Sequence, residues 1–426
     1  MQRTHYEDHD DIDKSDKSRV GLALAGGGPI GLIYEIGALR ALDEALEGVN
    51  FNRLHAYVGV SAGAAIAASL ANQLTTAQMC RVFIHNDSEQ HPFNPKIFLT
   101  PAFREYYQRL VSVPKLFFNS IWRFVRNPFD LGLFESLTSL SQALPTGLFD
   151  NQAIHEYLQQ VYSFNGRSND FRTLGRNLYV VAVDLDTGEA VIFGSKGYDH
   201  VPISKAVQAS TALPGLYPPV EIDGRHYVDG ALMKTMHASV ALNKGADLVF
   251  CINPLVPFDA NLAAQAGISE HETLIEGGMP VVLSQTFRAI IHSRLQVGMS
   301  SYDTQYENAD VILFEPNRDD PKMFFANVFS FANRLWVCEH AYQTTRRDLY
   351  ARRYELESIL SQHGIALRMD ILEDKNRHFS TGLQTDDIAA ARQVPPKAQL
   401  SDDLDNTLNQ LRQSQVHFRS PSILDL

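Results

Sequence analysis

Val20-Gly-Leu-Ala-Leu-Ala25, running into Gly26-Gly27-Gly28-Pro29-Ile30-Gly31, sets the reading of the whole chain. A short apolar run that stops at glycines is a buried strand meeting a turn. Pro29 suits the first turn of a helix, where a missing N–H costs nothing. Leu32, Ile36, Leu39, Leu42 and Leu46 then follow at helical spacing. A second strand, Tyr57-Val58-Gly59-Val60, leads through Ser61 into a helix of small residues from Ala62 to Leu70. Strands alternating with helices predict an α/β fold, a mainly parallel central sheet flanked by helices. Ligands of such sheets meet the carboxyl ends of the strands, where both the glycine run and Ser61 fall.

Further along, Leu178 to Val183 and Ala190 to Phe193 read as strands, and Ile203 to Ser210 as a helix broken by Thr211-Ala-Leu-Pro-Gly215. Asp223-Gly224 between Val220-Glu-Ile222 and Arg225-His-Tyr-Val228 is a hairpin signal. Leu232 to Lys244 is expected as a helix with Gly245 as its C-cap, followed by a buried strand at Leu248 to Ile252. Two or three further helices are expected from about 279 to 363. The expected organisation is a disordered tail over 1–18 and an α/β domain over 19–255, which includes an aromatic-rich insert at about 85–150. A mainly helical extension over 256–372 packs on that domain, and a flexible polar tail covers 373–426.

Composition narrows the function. The net charge of −12 over 426 residues argues against a nucleic-acid partner, which needs a basic footprint. Cys80, Cys251 and Cys338 are scattered and odd in number, as in a reducing compartment, and make neither a disulfide framework nor a metal pair. The acidic start MQRTHYEDHDDIDKSDKSR has no apolar core of a secretory signal, and no apolar run is long enough to span a bilayer. A cytoplasmic protein that meets membranes only peripherally is expected.

Three motifs carry chemistry. In Gly59-Val60-Ser61-Ala62-Gly63, a strand-to-helix turn would push the serine into a strained backbone with its Oγ exposed, and Gly59 and Gly63 keep both sides clear. The plain alternative is a tight turn, which the preceding strand and the following Ala-rich helix disfavour. The glycine run could hold an oxyanion on backbone N–H groups, with Gly26, Gly27, Gly28, Ile30 and Gly31 as candidates, joined by the amide of Ala62; Pro29 has no N–H to give. Gly26-x-Gly28-x-x-Gly31 also satisfies a dinucleotide fingerprint, the basis of a rival oxidoreductase reading. That reading wants an acid at the end of the next strand, but Asp43, Glu44 and Glu47 fall elsewhere. Asp229-Gly230-Ala231 reads locally as turn chemistry. Its carboxylate could also serve as base to Ser61, if burial raises its proton affinity. His226 and His237 are alternative partners without a persuasive setting, and no metal or cofactor is called for.

These motifs, in this order, resemble the patatin-like phospholipases. Gly-Gly-Gly-x-x-Gly follows a first strand, Gly-x-Ser-x-Gly comes soon after, and Ala209 to Gly230 looks like that family's approach to its aspartate. The resemblance covers roughly 19 to 255 and implies a three-layer fold, a Ser61–Asp229 dyad, an oxyanion loop at Gly26 to Gly31, and metal-free hydrolysis of acyl esters in lipids. Many members carry Arg or Lys where this chain has Ile30, so any cationic help there is missing. A transacylase using the same dyad, and a lipid-binding or scaffold protein with lost or weak catalysis, stay as alternatives.

The expected partner is a lipid, and Val113 to Arg126 is read as an element that could reach it. On a helix, Lys115, Asn119, Arg123 and Arg126 form a polar stripe opposite Phe117, Phe118, Ile121, Trp122 and Val125. A transient membrane-surface contact through 113–126 competes there with a cap helix or a dimer contact.

Overall fold

The computed structural model describes residues 18–87, 93, 98, 100–102, 146–164, 166–267, 274–325 and 333–383. The expected membrane element at 113–126, most of the 85–150 insert, nearly all of the N-terminal tail and residues 384–426 lie outside the described residues.

Ten strands are described: β1 Val20–Leu24, β2 Leu46–Glu47, β3 Ala56–Val60, β4 Leu178–Asp184, β5 Ala190–Phe193, β6 Val220–Ile222, β7 Arg225–Asp229, β8 Leu248–Ile252, β9 Asp310–Phe314 and β10 Ala366–Leu367. Eight of them make one sheet in the order β6-β7-β4-β3-β1-β8-β9, with β5 also paired to β4. The run from β4 through β3, β1 and β8 to β9 is parallel throughout. β5, β6 and β7 add antiparallel pairings at one side. β2 and β10 form a separate two-stranded pair.

Helices cover both faces, because the central strands are apolar on both sides. Leu22 and Leu24 face α1 (Gly28–Ala45) and α2 (Ala62–Ala71), while Ala23 and Ala25 face the Ala238–Asn243 and Gly278–Gln305 helices. α1 is buried along almost its whole length, packed between the sheet and the Arg334–Ala351 helix. A helix apolar on nearly every side belongs in such a place. Each of Ile33, Ile36, Leu39 and Leu42, fully enclosed, contributes about 1.5–3 kcal/mol through burial.

Three segments differ from the sequence expectation. The stretch expected as one helix from Leu232 to Lys244 is a 3₁₀ turn at Gly230–Leu232 and an α-helix at Ala238–Asn243. The Asp229 side chain accepts the Ala231 amide and sets the tight turn. The region after 256, expected as mainly helical, also supplies β9, whose apolar Val311 to Phe314 pair with β8. The chain stays packed past 373: Arg377 pairs with Glu44 of α1, and Phe379 and Leu383 are buried.

Candidate active site

β3 ends at Val60 and α2 begins at Ala62, so Ser61 alone makes the turn, at φ 54° and ψ −123°. A non-glycine residue there is strained and persists only where its surroundings enforce it. The glycines show how tight those surroundings are. A Cβ on Gly59 would lie 2.4 Å from the Ala64 Cα, and one on Gly63 would lie 2.6 Å from the Ala25 carbonyl oxygen. The Ser61 amide donates to Ser210 Oγ at 2.8 Å, and the Ser210 hydroxyl donates to the Val181 carbonyl at 2.6 Å. Ser210, the last residue of the Ile203–Ser210 helix, thus ties the elbow to the neighbouring strand β4.

Sheet register brings Asp229 to the same place. Val60 pairs with Val181 across β3 and β4, while Ala182 pairs with Asp229 across β4 and β7. A side chain at 230 would strike the Val181 carbonyl at 2.5 Å, so the chain can hug β4 only through glycine. Ser61 Oγ donates to Asp229 Oδ2 at 2.7 Å, and the Ala231 amide donates to Oδ1 at 2.9 Å. Both Ser61 and Asp229 are buried. Burial pushes the Asp229 carboxyl up to about 6, against the opposing hydrogen bonds from Ser61 and the Ala231 amide. A carboxylate of that proton affinity, bonded to an alcohol, can take the alcohol's proton as it attacks.

The glycine run closes the third side. A Cβ on Gly26 would stand 3.0 Å from the Ala231 Cβ and 3.1 Å from the Ser61 Cβ, so Gly26 touches both other motifs. Gly28 has φ 60° and opens α1, whose first turn includes Pro29. The Gly31 amide is already bonded to the Gly27 carbonyl at 2.9 Å. Ile30 is buried. The amino-terminal ends of α1 and α2 both begin beside Ser61, and helix N-termini favour negative charge.

The histidines stand apart. His226 is exposed and lies 3.9 Å from Asp186. His237 is buried, and burial, with Lys234 adding to it, pushes its pKa down to about 4. Glu47 ends β2, which pairs with β10 apart from the main sheet, and β3, the next strand of the main sheet after the glycine run, leads into Ser61 rather than into the acid a dinucleotide ribose would want. An open cleft at the edge of the sheet, lined by residues including Leu313, Glu315, Arg318 and Arg352, holds neither Ser61 nor Asp229. Among the described residues no group of three His, Cys, Asp or Glu could hold a metal ion. Sequence reasoning assigned Ser210 no role. Its signals were its place directly before the Thr211-Ala-Leu-Pro-Gly215 break and within the Ala209 to Gly230 segment that carries the family resemblance.

The sequence model of a family described as patatin-like phospholipase matches residues 22–242. Among solved structures the chain is similar to VipD from Legionella pneumophila, at 14% identity and a TM-score of 0.34 over 79% of this chain and 67% of that one. It is similar to the type III effector protein ExoU, also at 14% identity and a TM-score of 0.34, over 96% of this chain and 67% of that one. A third likeness is to the complex of SpcU with ExoU from the type III secretion system of Pseudomonas aeruginosa. There the identity is 13% and the TM-score 0.24, over 67% of this chain and 53% of that one.

Proposed function

The chain belongs to the patatin-like phospholipase family, and from that premise we propose that it is a serine lipid acyl hydrolase working through a Ser61–Asp229 dyad. The observation that carries this reading is the 2.7 Å hydrogen bond from Ser61 Oγ to Asp229 Oδ2. In the proposed cycle, Ser61 Oγ attacks the acyl carbonyl carbon while its proton passes to Asp229. The carbonyl oxygen becomes an oxyanion, held by backbone amides drawn from Gly27, Gly28, Ile30 and Ala62. The intermediate collapses, the C–O bond to the alcohol breaks, and Asp229 returns the proton to the departing oxygen. Water then attacks the acyl-Ser61 ester with Asp229 again as base, releasing the fatty acid and restoring Ser61. Gly31, whose amide is occupied, serves by letting the loop close rather than by donating.

Steady-state hydrolysis of p-nitrophenyl butyrate and of phospholipid vesicles, with released fatty acids identified by mass spectrometry, tests the assignment. Ser61→Ala is expected to lose at least about 10³-fold on both substrates. A Ser61→Ala protein that releases fatty acid at the unmodified rate overturns it.

A further inference from the structure

The helix Gly278–Gln305 buries Leu295 and Tyr302 against the sheet in its second half, but its first half sets polar side chains beneath and apolar ones outside. Its packed side carries Arg288 and His292, only 8% and 7% exposed. Arg288 donates to the Val256 carbonyl at 3.2 Å and lies over the Phe324 ring, and burial pushes its pKa down to about 10. Beside it, Gln285 accepts the Phe258 amide at 3.0 Å and donates to the Phe258 carbonyl at 2.8 Å. The outer side carries Met279, Val282, Leu283, Phe287, Ile290 and Val297, of which Met279 is 75%, Phe287 53% and Val297 70% exposed. A helix on the surface of a water-soluble protein does the reverse. Met279, Leu283, Phe287 and Ile290 recur at three- and four-residue spacing, and an apolar stripe of this kind marks an interaction surface.

Position and charge indicate what it meets. The segment held by Gln285 and Arg288 leaves the carboxyl end of β8, and Pro254 within it packs on the glycine loop, 2.6 Å from where a Gly27 Cβ would stand. Further along the helix, Arg294 donates to the carbonyls of Leu232 and Met233 at 3.2 and 3.0 Å. Those two residues are themselves exposed and follow closely on Asp229. The outer stripe, Leu232, Met233 and the glycine loop therefore share one end of the sheet. From Gly278 to Tyr302 the sequence has no Asp or Glu, although the whole chain carries −12, and its charged residues there are Arg288 and Arg294. An apolar face without acids, flanked by Arg294 and by Lys234 next to Met233, is complementary to an anionic lipid surface.

We propose that the outer face of the Gly278–Gln305 helix, together with Leu232 and Met233, docks on the surface of an anionic phospholipid bilayer and holds the mouth of the Ser61 site against it. The proposal rests on the reading of that site as a lipid acyl hydrolase.

Co-sedimentation of the full chain with vesicles of phosphatidylcholine and phosphatidylserine tests it. Phe287→Glu combined with Ile290→Glu is expected to weaken vesicle binding at least about 100-fold. Vesicle hydrolysis should fall with it, while turnover of soluble p-nitrophenyl butyrate stays unchanged. Ser61→Ala should bind vesicles like the unmodified protein, so failure of the catalytic assignment would show in ester turnover and leave binding intact. As a readout independent of the charged variant, Phe287→Trp should add blue-shifted emission that brominated lipid quenches, read against the two native tryptophans. Unaltered binding by the double variant, or added emission in Phe287→Trp that is indifferent to vesicles, overturns the proposal. So does a dimer in sedimentation that the double variant splits while vesicle binding persists, which would make a second copy the occupant.

Discussion

The hydroxyl of Ser210 accepts the amide of Ser61 at 2.8 Å while donating to the Val181 carbonyl at 2.6 Å, so one side chain bridges the strained elbow and the sheet. Ser61 keeps its positive φ because its own amide is fixed from behind. Ser210→Ala removes that brace and leaves a buried N–H unsatisfied, at about 1–3 kcal/mol. We expect kcat on p-nitrophenyl butyrate to fall about 10- to 100-fold with KM little changed. Ser210→Thr, which keeps the hydroxyl, should recover part of the loss. Stopped-flow and steady-state kinetics of the two variants check this.

Asp229 makes the site pH-dependent in two opposite ways. As the proposed base it must be ionised, so kcat/KM should rise with pH through a midpoint near the value of about 6 to which burial pushes it. Stability runs the other way. A carboxyl whose proton is held more tightly in the folded state than in the unfolded one contributes stability below the unfolded value, and that contribution is lost as pH rises through the folded one. Asp229→Asn should therefore be more stable than the unmodified protein at about pH 8, by about 1–3 kcal/mol, and lose that advantage at about pH 4. Urea titrations at both pH values measure the difference.

The glycines around Ser61 divide by what their missing side chains would meet. At Gly63 a methyl group would press on the Ala25 carbonyl oxygen at 2.6 Å and the Leu24 carbonyl carbon at 2.7 Å, both backbone. Gly63→Ala should destabilise by about 1–3 kcal/mol or more. At Gly26 the neighbours are the Cβ atoms of Ala231 and Ser61, at 3.0 and 3.1 Å. Gly26→Ala should fold, yet displace Ser61, the proposed nucleophile, and cost about 10²-fold in kcat. Thermal melts paired with ester turnover separate the two behaviours.

Glu35 lies in α1 with both carboxyl oxygens buried and without a hydrogen-bond partner. Burial pushes its carboxyl well above the usual carboxylate range. Its contribution to stability is therefore present below the unfolded carboxylate value and is lost as pH rises toward the folded one. Glu35→Gln should match the unmodified protein at about pH 4 and exceed it increasingly toward about pH 9. A pH series of melting temperatures shows whether the two curves diverge in that direction.

Much of the fold was legible because its signals are local. The strand into Gly26-Gly27-Gly28, the strand into Ser61 and the Asp223-Gly224 hairpin each pair an apolar run with the residue its turn requires, and Asp223 and Gly224 do take positive φ, 53° and 76°. β9 was not legible. Five residues after a 28-residue helix carry too short a pattern, and their strand character comes from pairing with β8, some sixty positions earlier. The meeting of Ser61 and Asp229 is a matter of register on either side of β4, which no local pattern encodes. The exposed apolar face in the first half of the Gly278–Gln305 helix was hidden for a related reason: Phe287 and Ile290 look like core residues in sequence, and only the packing of Arg288 and His292 beneath them shows otherwise.

Labelling by a fluorophosphonate probe, followed by peptide mass spectrometry, asks whether Asp229 activates Ser61. The unmodified protein should carry the adduct on Ser61, and Asp229→Asn should acquire it at least about 10³-fold more slowly. An adduct on another serine, or equally fast labelling of Ser61 without the carboxylate, would contradict the dyad.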